Sequence, residues 1–101
     1  MLQKKKKLKF IFTFEMKNKN QKMNFEQSCE YIKNKTLNND QLLELYGLYK
    51  AATVGACNVP RPKSFLGIRN RETAKWDAWN ERSEISQERA KRMYIEFVSK
   101  F

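Results

Sequence analysis

Histidine is absent from all 101 residues. That removes the commonest general base, the serine and cysteine triads, and every zinc site that uses imidazole. Cysteine is scarce. Cys29 and Cys57 fall in different predicted elements and match no metal spacing such as C-x-x-C, so they are expected to be a reduced pair rather than a disulfide framework. Three glycines and two prolines make up all the strong backbone breakers, and none occurs before Gly47. No apolar run is long enough to span a bilayer. With neither a base nor a metal site, the chain is expected not to be an enzyme, and no cofactor is expected.

The abundant feature is positive charge, formally +10, but it is spread unevenly. Residues 1–22 hold eight lysines against one glutamate, whereas residues 23–101 hold thirteen basic and ten acidic side chains. A nucleic-acid partner would therefore depend mostly on the leader. The stretch from Leu8 to Phe14 is interrupted by Lys9 and lacks a small-residue cleavage site, so it does not fit a secretory signal. Three origins stay open for residues 1–22: a disordered basic tail, a weak anchor to anionic membrane, or an extension ahead of a true start at Met16 or Met23. The last is preferred. The domain itself is expected over residues 23–101.

Beyond residue 23, apolar residues recur at three and four, which predicts four helices. The first is expected from Asn24 to Lys35, with Phe25, Cys29 and Ile32 as its stripe. The second opens at Asn39 or Asp40 as N-cap, carries Leu42, Leu45, Tyr46, Tyr49 and Thr53, and stops at Gly55. Pro60, Pro62 and Gly67 exclude a continuous helix up to Asn70. Such a loop, extending at most ~50 Å, can return the chain along the second helix, about 21 Å long. Helices two and three can then run parallel. The third is expected from Arg71 to Arg82 with Trp76 and Trp79 on a buried face. The fourth follows an N-cap at Ser86 and carries Ala90, Tyr94, Phe97 and Phe101.

Tyr46 and Lys50 lie four apart on one helical face, and Tyr49 borders it. A phenol and an ammonium at that spacing can converge on a phosphate. They can equally be core rings with surface hydroxyls beside a solvated lysine. Arg71 and Lys75 repeat the spacing beside the tryptophans. Aromatic rings, cations and rich apolar faces together suit a ligand that is part nucleotide and part hydrocarbon. A basic helical nucleic-acid module, using the leader with Arg69, Arg71, Arg89, Lys91 and Arg92, is one alternative. A membrane-surface protein recruited through the leader is another.

The segments LYGLYKAATVGACN, AKWDAWN and RMYIEFVSKF resemble the acyl-CoA-binding protein family, whose hallmarks are a YxxYKxATxG helix end and a KWDAW helix. The resemblance runs from about Phe25 to Phe101. It implies an all-α four-helix bundle in up-down-down-up order, with an overhand loop between helices 2 and 3. It also implies non-enzymatic binding, buffering and intracellular transport of medium- to long-chain acyl-CoA by a cytoplasmic monomer, with no nucleic acid as partner. By the same resemblance, Tyr46, Lys50 and Lys75 hold the 3′-phosphate of the CoA ribose, and Tyr49 belongs to the same stretch. Tyr94 contacts the adenine nucleotide, while Lys33 and Arg71 match further basic positions. The stretch KSFLGIRNRET is longer than the family's usual one, which sets Arg69 in competition with Arg71. Weak membrane contact through the basic leader is compatible with this assignment.

Overall fold

The computed structural model of the chain describes residues 23–101, and the expectations for residues 1–22 fall outside them. Among the described residues four α-helices form: α1 (Phe25–Ile32), α2 (Asn39–Thr53), α3 (Arg71–Asn80) and α4 (Gln87–Val98). Three of them start on the same chemical device. Asn24, Asn38 and Asn70 each accept a backbone N–H from the residue three ahead, and Gln27, Gln41 and Thr73 accept the cap's own N–H in return. The cap of α2 is therefore Asn38, not Asn39 or Asp40. The reason is local: only a cap at 38 places a glutamine, Gln41, at the third helical position to close the reciprocal pair. Ser86 caps α4 as expected, its Oγ accepting Arg89 N at 3.1 Å.

Two helices end earlier than their periodicity implies. After Ile32 the N–H groups of Lys33, Asn34 and Lys35 bond three residues back, tightening the chain out of the α geometry. The same happens after Asn80, where Arg82 and Ser83 bond to Trp79 and Asn80. Gly55 stops α2 as its sequence predicts, with φ +106° and its N–H on the Lys50 carbonyl at 3.0 Å.

Helix α2 is the central member, packed against α3 and α4, while α1 packs on α4. The order of contacts fixes the directions. Phe25 meets Tyr94 while Ile32 shares a core cluster with Val98, so α1 and α4 run together. Tyr49 meets Tyr94 while Ala52 meets Gln87, so α2 opposes α4. Tyr46 lies by Lys75 and Lys50 by Trp79, so α2 and α3 run parallel. This is the up-down-down-up bundle.

The core is formed by Ile32, Leu48, Tyr94 and Val98, extended by Ala51, Ala52 and Ala90. Phe97 and Phe101 are only partly buried and meet edge to face, their centroids 5.4 Å apart. Trp79 is buried as expected, whereas Trp76 stays partly exposed because its ring covers the loop instead of the core. The parallel α2–α3 pair leaves the loop from Gly55 to Asn70 to be held in place, and the WDAW segment of α3 does this. Trp76 Nε1 donates to the Val59 carbonyl at 2.8 Å and Trp79 Nε1 to that of Gly55 at 2.7 Å. Asp77 accepts both Arg61 Nε and a terminal guanidinium N–H, at 3.0 and 3.1 Å. That pairing holds the Asp77 carboxyl below its usual range, with Arg69 adding to the effect.

Candidate functional site

A cavity of about 690 Å³ opens between the first half of α2 and the start of α3, closed at one side by Tyr94 of α4. Its volume lies in the range of small-molecule sites. Helical spacing explains the two chemical characters of its wall. Leu42, Leu43 and Leu45 supply an apolar surface from α2, met by Ala74 from α3. Asn39, Arg69, Asn70, Arg71 and Lys75 supply the polar part. Both arginines set in competition by the sequence line the cavity. Arg69 also approaches Asp77 at 3.6 Å, whereas Arg71 makes no ion pair among the described residues.

Beside the cavity, cations and aromatic rings interleave across α2 and α3. Lys75 Nζ lies 5.0 Å from the Tyr46 ring centroid, and one turn on, Lys50 Nζ lies 4.6 Å from that of Trp79. Both distances are in the range of cation–π attraction. Tyr46 and Lys50 thus do share a face, turned toward α3. Tyr46 lines the cavity and Lys50 sits just outside its lining. Tyr49 is 43% exposed and also lines it. Its ring stacks on Phe25 at 6.1 Å and lies 6.2 Å from Tyr94.

The structure therefore brings Tyr46, Tyr49, Arg71, Lys75 and Tyr94 to one cavity, with Lys50 adjacent. It does not bring Lys33 there. The Lys33 ammonium is bound to Glu30 Oε2 at 2.9 Å, one turn back on α1, and this hydrogen bond raises its pKa. Sequence reasoning did not assign Asn39, Leu43, Asn70 or Ala74 to a site. Asn39 and Asn70 sit at helix starts, where asparagine has a capping explanation already, and Leu43 and Ala74 carry no chemical signal of their own.

Burial raises the pKa of Tyr46, with Glu72 and then Cys57 adding to it. Tyr94 is raised further, again first by burial and then by the neighbouring Cys29 thiol. Both hydroxyls are consequently neutral donors at physiological pH. A phenol that holds its proton more tightly folded than unfolded contributes stability that is complete below the unfolded value near pH ~10. That contribution is lost as pH rises through the folded pKa. Urea midpoints are expected to fall once pH rises past about 10, and Tyr94→Phe is expected to fall less steeply there than the parent. Equal slopes would show that the Tyr94 proton is not held by the fold.

Comparison with known proteins agrees with this geometry. The profile of the family described as Acyl CoA binding protein matches residues 22–98. An acyl-CoA-binding protein of Dictyostelium discoideum is 40% identical over 73 residues, covering 70% of this chain and 83% of that protein. Human enoyl-CoA delta isomerase 2 is 43% identical over 77 residues, which are 74% of this chain but 19% of the isomerase. The crystal structure of Oryza sativa acyl-CoA-binding protein 2 superposes with a TM-score of 0.68 at 40% identity, covering 75% of this chain and 82% of that one. A helical bundle with a mixed apolar and basic cavity is thus the class of protein in hand. The chain belongs to the acyl-CoA-binding protein family, and by that membership it binds acyl-CoA.

Proposed function

We propose that the cavity between α2 and α3 is where this chain takes up medium- to long-chain acyl-CoA, to buffer and carry it as a cytoplasmic monomer without altering it. The observation that supports this most is the joining of two chemistries in one 690 Å³ space, a leucine-lined wall and a cluster of phenols and cations. Each suits one half of the ligand. A methylene removed from water contributes about 0.8 kcal/mol, so a palmitoyl chain contributes on the order of 10 kcal/mol at most. That term would favour a free fatty acid equally. Discrimination falls to Tyr46, Lys50, Lys75 and Arg71, which would hold the phosphates of the nucleotide. The cavity lining offers anchors and an apolar wall, and it contains no carboxylate, serine or cysteine to perform proton or acyl transfer. The similarity to the isomerase covers a minor part of that enzyme and carries no activity across.

Isothermal titration of the full chain with palmitoyl-CoA, octanoyl-CoA, CoA and palmitate tests the proposal. One-to-one binding is expected, strengthening with acyl length, with CoA and palmitate each much weaker than palmitoyl-CoA. Palmitate binding as tightly as palmitoyl-CoA would remove the phosphate cluster from the account.

A further inference from the structure

The crossing loop carries a feature that lies outside the lining of the cavity. Its tip is a single 3₁₀ turn, Phe65–Gly67, and three large apolar side chains stand in water there: Phe65 is 80% exposed, Leu66 78% and Ile68 63%. Leu66 has φ +56° and Gly67 φ +75°, so two successive residues are left-handed. A leucine rarely adopts that conformation, and here it gains no buried contact in return. The base of the loop, by contrast, is fixed by Arg61 on Asp77 and by Trp76 on Val59. The tip is held out on an anchored support.

Its charge is one-sided. Residues 61–71 contain Arg61, Lys63, Arg69 and Arg71 and no acidic residue. Arg61 and Arg69 share Asp77, while Lys63 and Arg71 make no ion pair among the described residues. The tip also adjoins the cavity directly, because Arg69, Asn70 and Arg71 line it.

We propose that this loop tip docks the protein on an anionic bilayer surface, seating Phe65, Leu66 and Ile68 among the lipids with the flanking cations at the headgroups and the cavity mouth turned toward the membrane. A narrow tip of three side chains offers far less than the ~1,000 Å² that a stable protein interface needs. An apolar wedge bordered by lysine and arginine matches the boundary between acyl chains and anionic headgroups. Only the orientation of the cavity mouth rests on the acyl-CoA reading. Docking itself requires no ligand.

The test is co-sedimentation of the full chain with phosphatidylcholine vesicles, with and without phosphatidylserine, in the absence of acyl-CoA. The comparison is the triple variant Phe65→Ser, Leu66→Ser and Ile68→Ser, which leaves every charge, including the leader's, in place. Partition onto the phosphatidylserine vesicles is expected to drop about tenfold or more in the variant, with unchanged helical circular dichroism and unchanged affinity for palmitoyl-CoA. In a second variant, Phe65→Trp, brominated lipid is expected to quench the added indole. Equal partition of parent and triple variant would overturn the proposal, since the leader would then account for binding, and so would an unquenched indole at 65. Sedimentation velocity showing a dimer that the triple variant dissolves would also overturn it, assigning the tip to a second copy of the chain. Failed docking with intact palmitoyl-CoA affinity leaves the cavity assignment standing, and the reverse result separates the two equally well.

Discussion

Replacing Lys75 by alanine is expected to weaken palmitoyl-CoA binding by roughly ten- to a hundredfold, the equivalent of one charge-assisted contact of about 1.5–3 kcal/mol. Stability is expected to change by less than about 1 kcal/mol. The side chain gives up a cation–π contact with Tyr46 worth about 0.5–1 kcal/mol, and alanine is at least as good a helix former as lysine. Tyr46→Phe keeps the ring that carries the ammonium and removes only the hydroxyl, so its effect is expected to be smaller but of the same sign. Because Lys75 lies over the Tyr46 ring, the two losses are coupled, and the double variant should bind better than the sum of the single losses predicts. Calorimetric titration alongside urea unfolding reads both quantities on the same samples. Parent-like affinity in both single variants would place the nucleotide elsewhere, with Arg69 and Arg71 the next cations at the cavity.

Much of this architecture is legible in the sequence because it depends on short-range rules. Helix starts are written in the asparagines and in the residue three positions after each, and the parallel course of α2 and α3 is permitted by loop length. The details that differ are those decided by competition among neighbours. Asn38, Asn39 and Asp40 can all cap a helix, and only the reciprocal bond with Gln41 selects Asn38. Tyr46 and Lys50 are visibly on one face, but periodicity does not say that their partners are Lys75 and Trp79, since that needs the crossing of two helices. Lys33 shows the same limit from the other side. Its match to a basic position of the family rests on the resemblance, whereas in the structure its exposed ammonium bonds Glu30, one turn back, outside the cavity lining. The exposed tip at Phe65, Leu66 and Ile68 is invisible to pattern reading, because a short apolar run between turn residues is normally taken into a core.

The KWDAW segment divides its work between the two functions of α3. Lys75 faces the cavity, while Trp76, Asp77 and Trp79 hold the loop that allows α3 to lie parallel to α2. The arrangement links fold to site. The ligand contacts proposed for α3 require the loop to keep that helix in register, and the Arg82 to Glu44 ion pair ties the turn after α3 back to α2.

Gly47 sets how closely those two helices approach, and substitution there is expected to reverse a usual sign. In an exposed helix, glycine to alanine stabilises by about 1 kcal/mol. At Gly47 a Cβ would stand 2.5 Å from the Ala78 carbonyl oxygen and 3.0 Å from its carbon. Those are backbone atoms, so no rotamer change relieves the contact and α3 must shift as a unit. Overpacking of this kind costs about 1–3 kcal/mol, so Gly47→Ala is expected to be net destabilising by about 1 kcal/mol despite the propensity gain, and Gly47→Val by several kcal/mol more. The same shift separates Lys75 from Tyr46, so affinity for palmitoyl-CoA should fall in Gly47→Ala although neither side chain is altered. Urea midpoints and calorimetry on that variant read the two effects separately. An alanine variant more stable than the parent would mean that α2 and α3 have slack between them, and the register of the proposed phosphate-binding cluster would then need another cause.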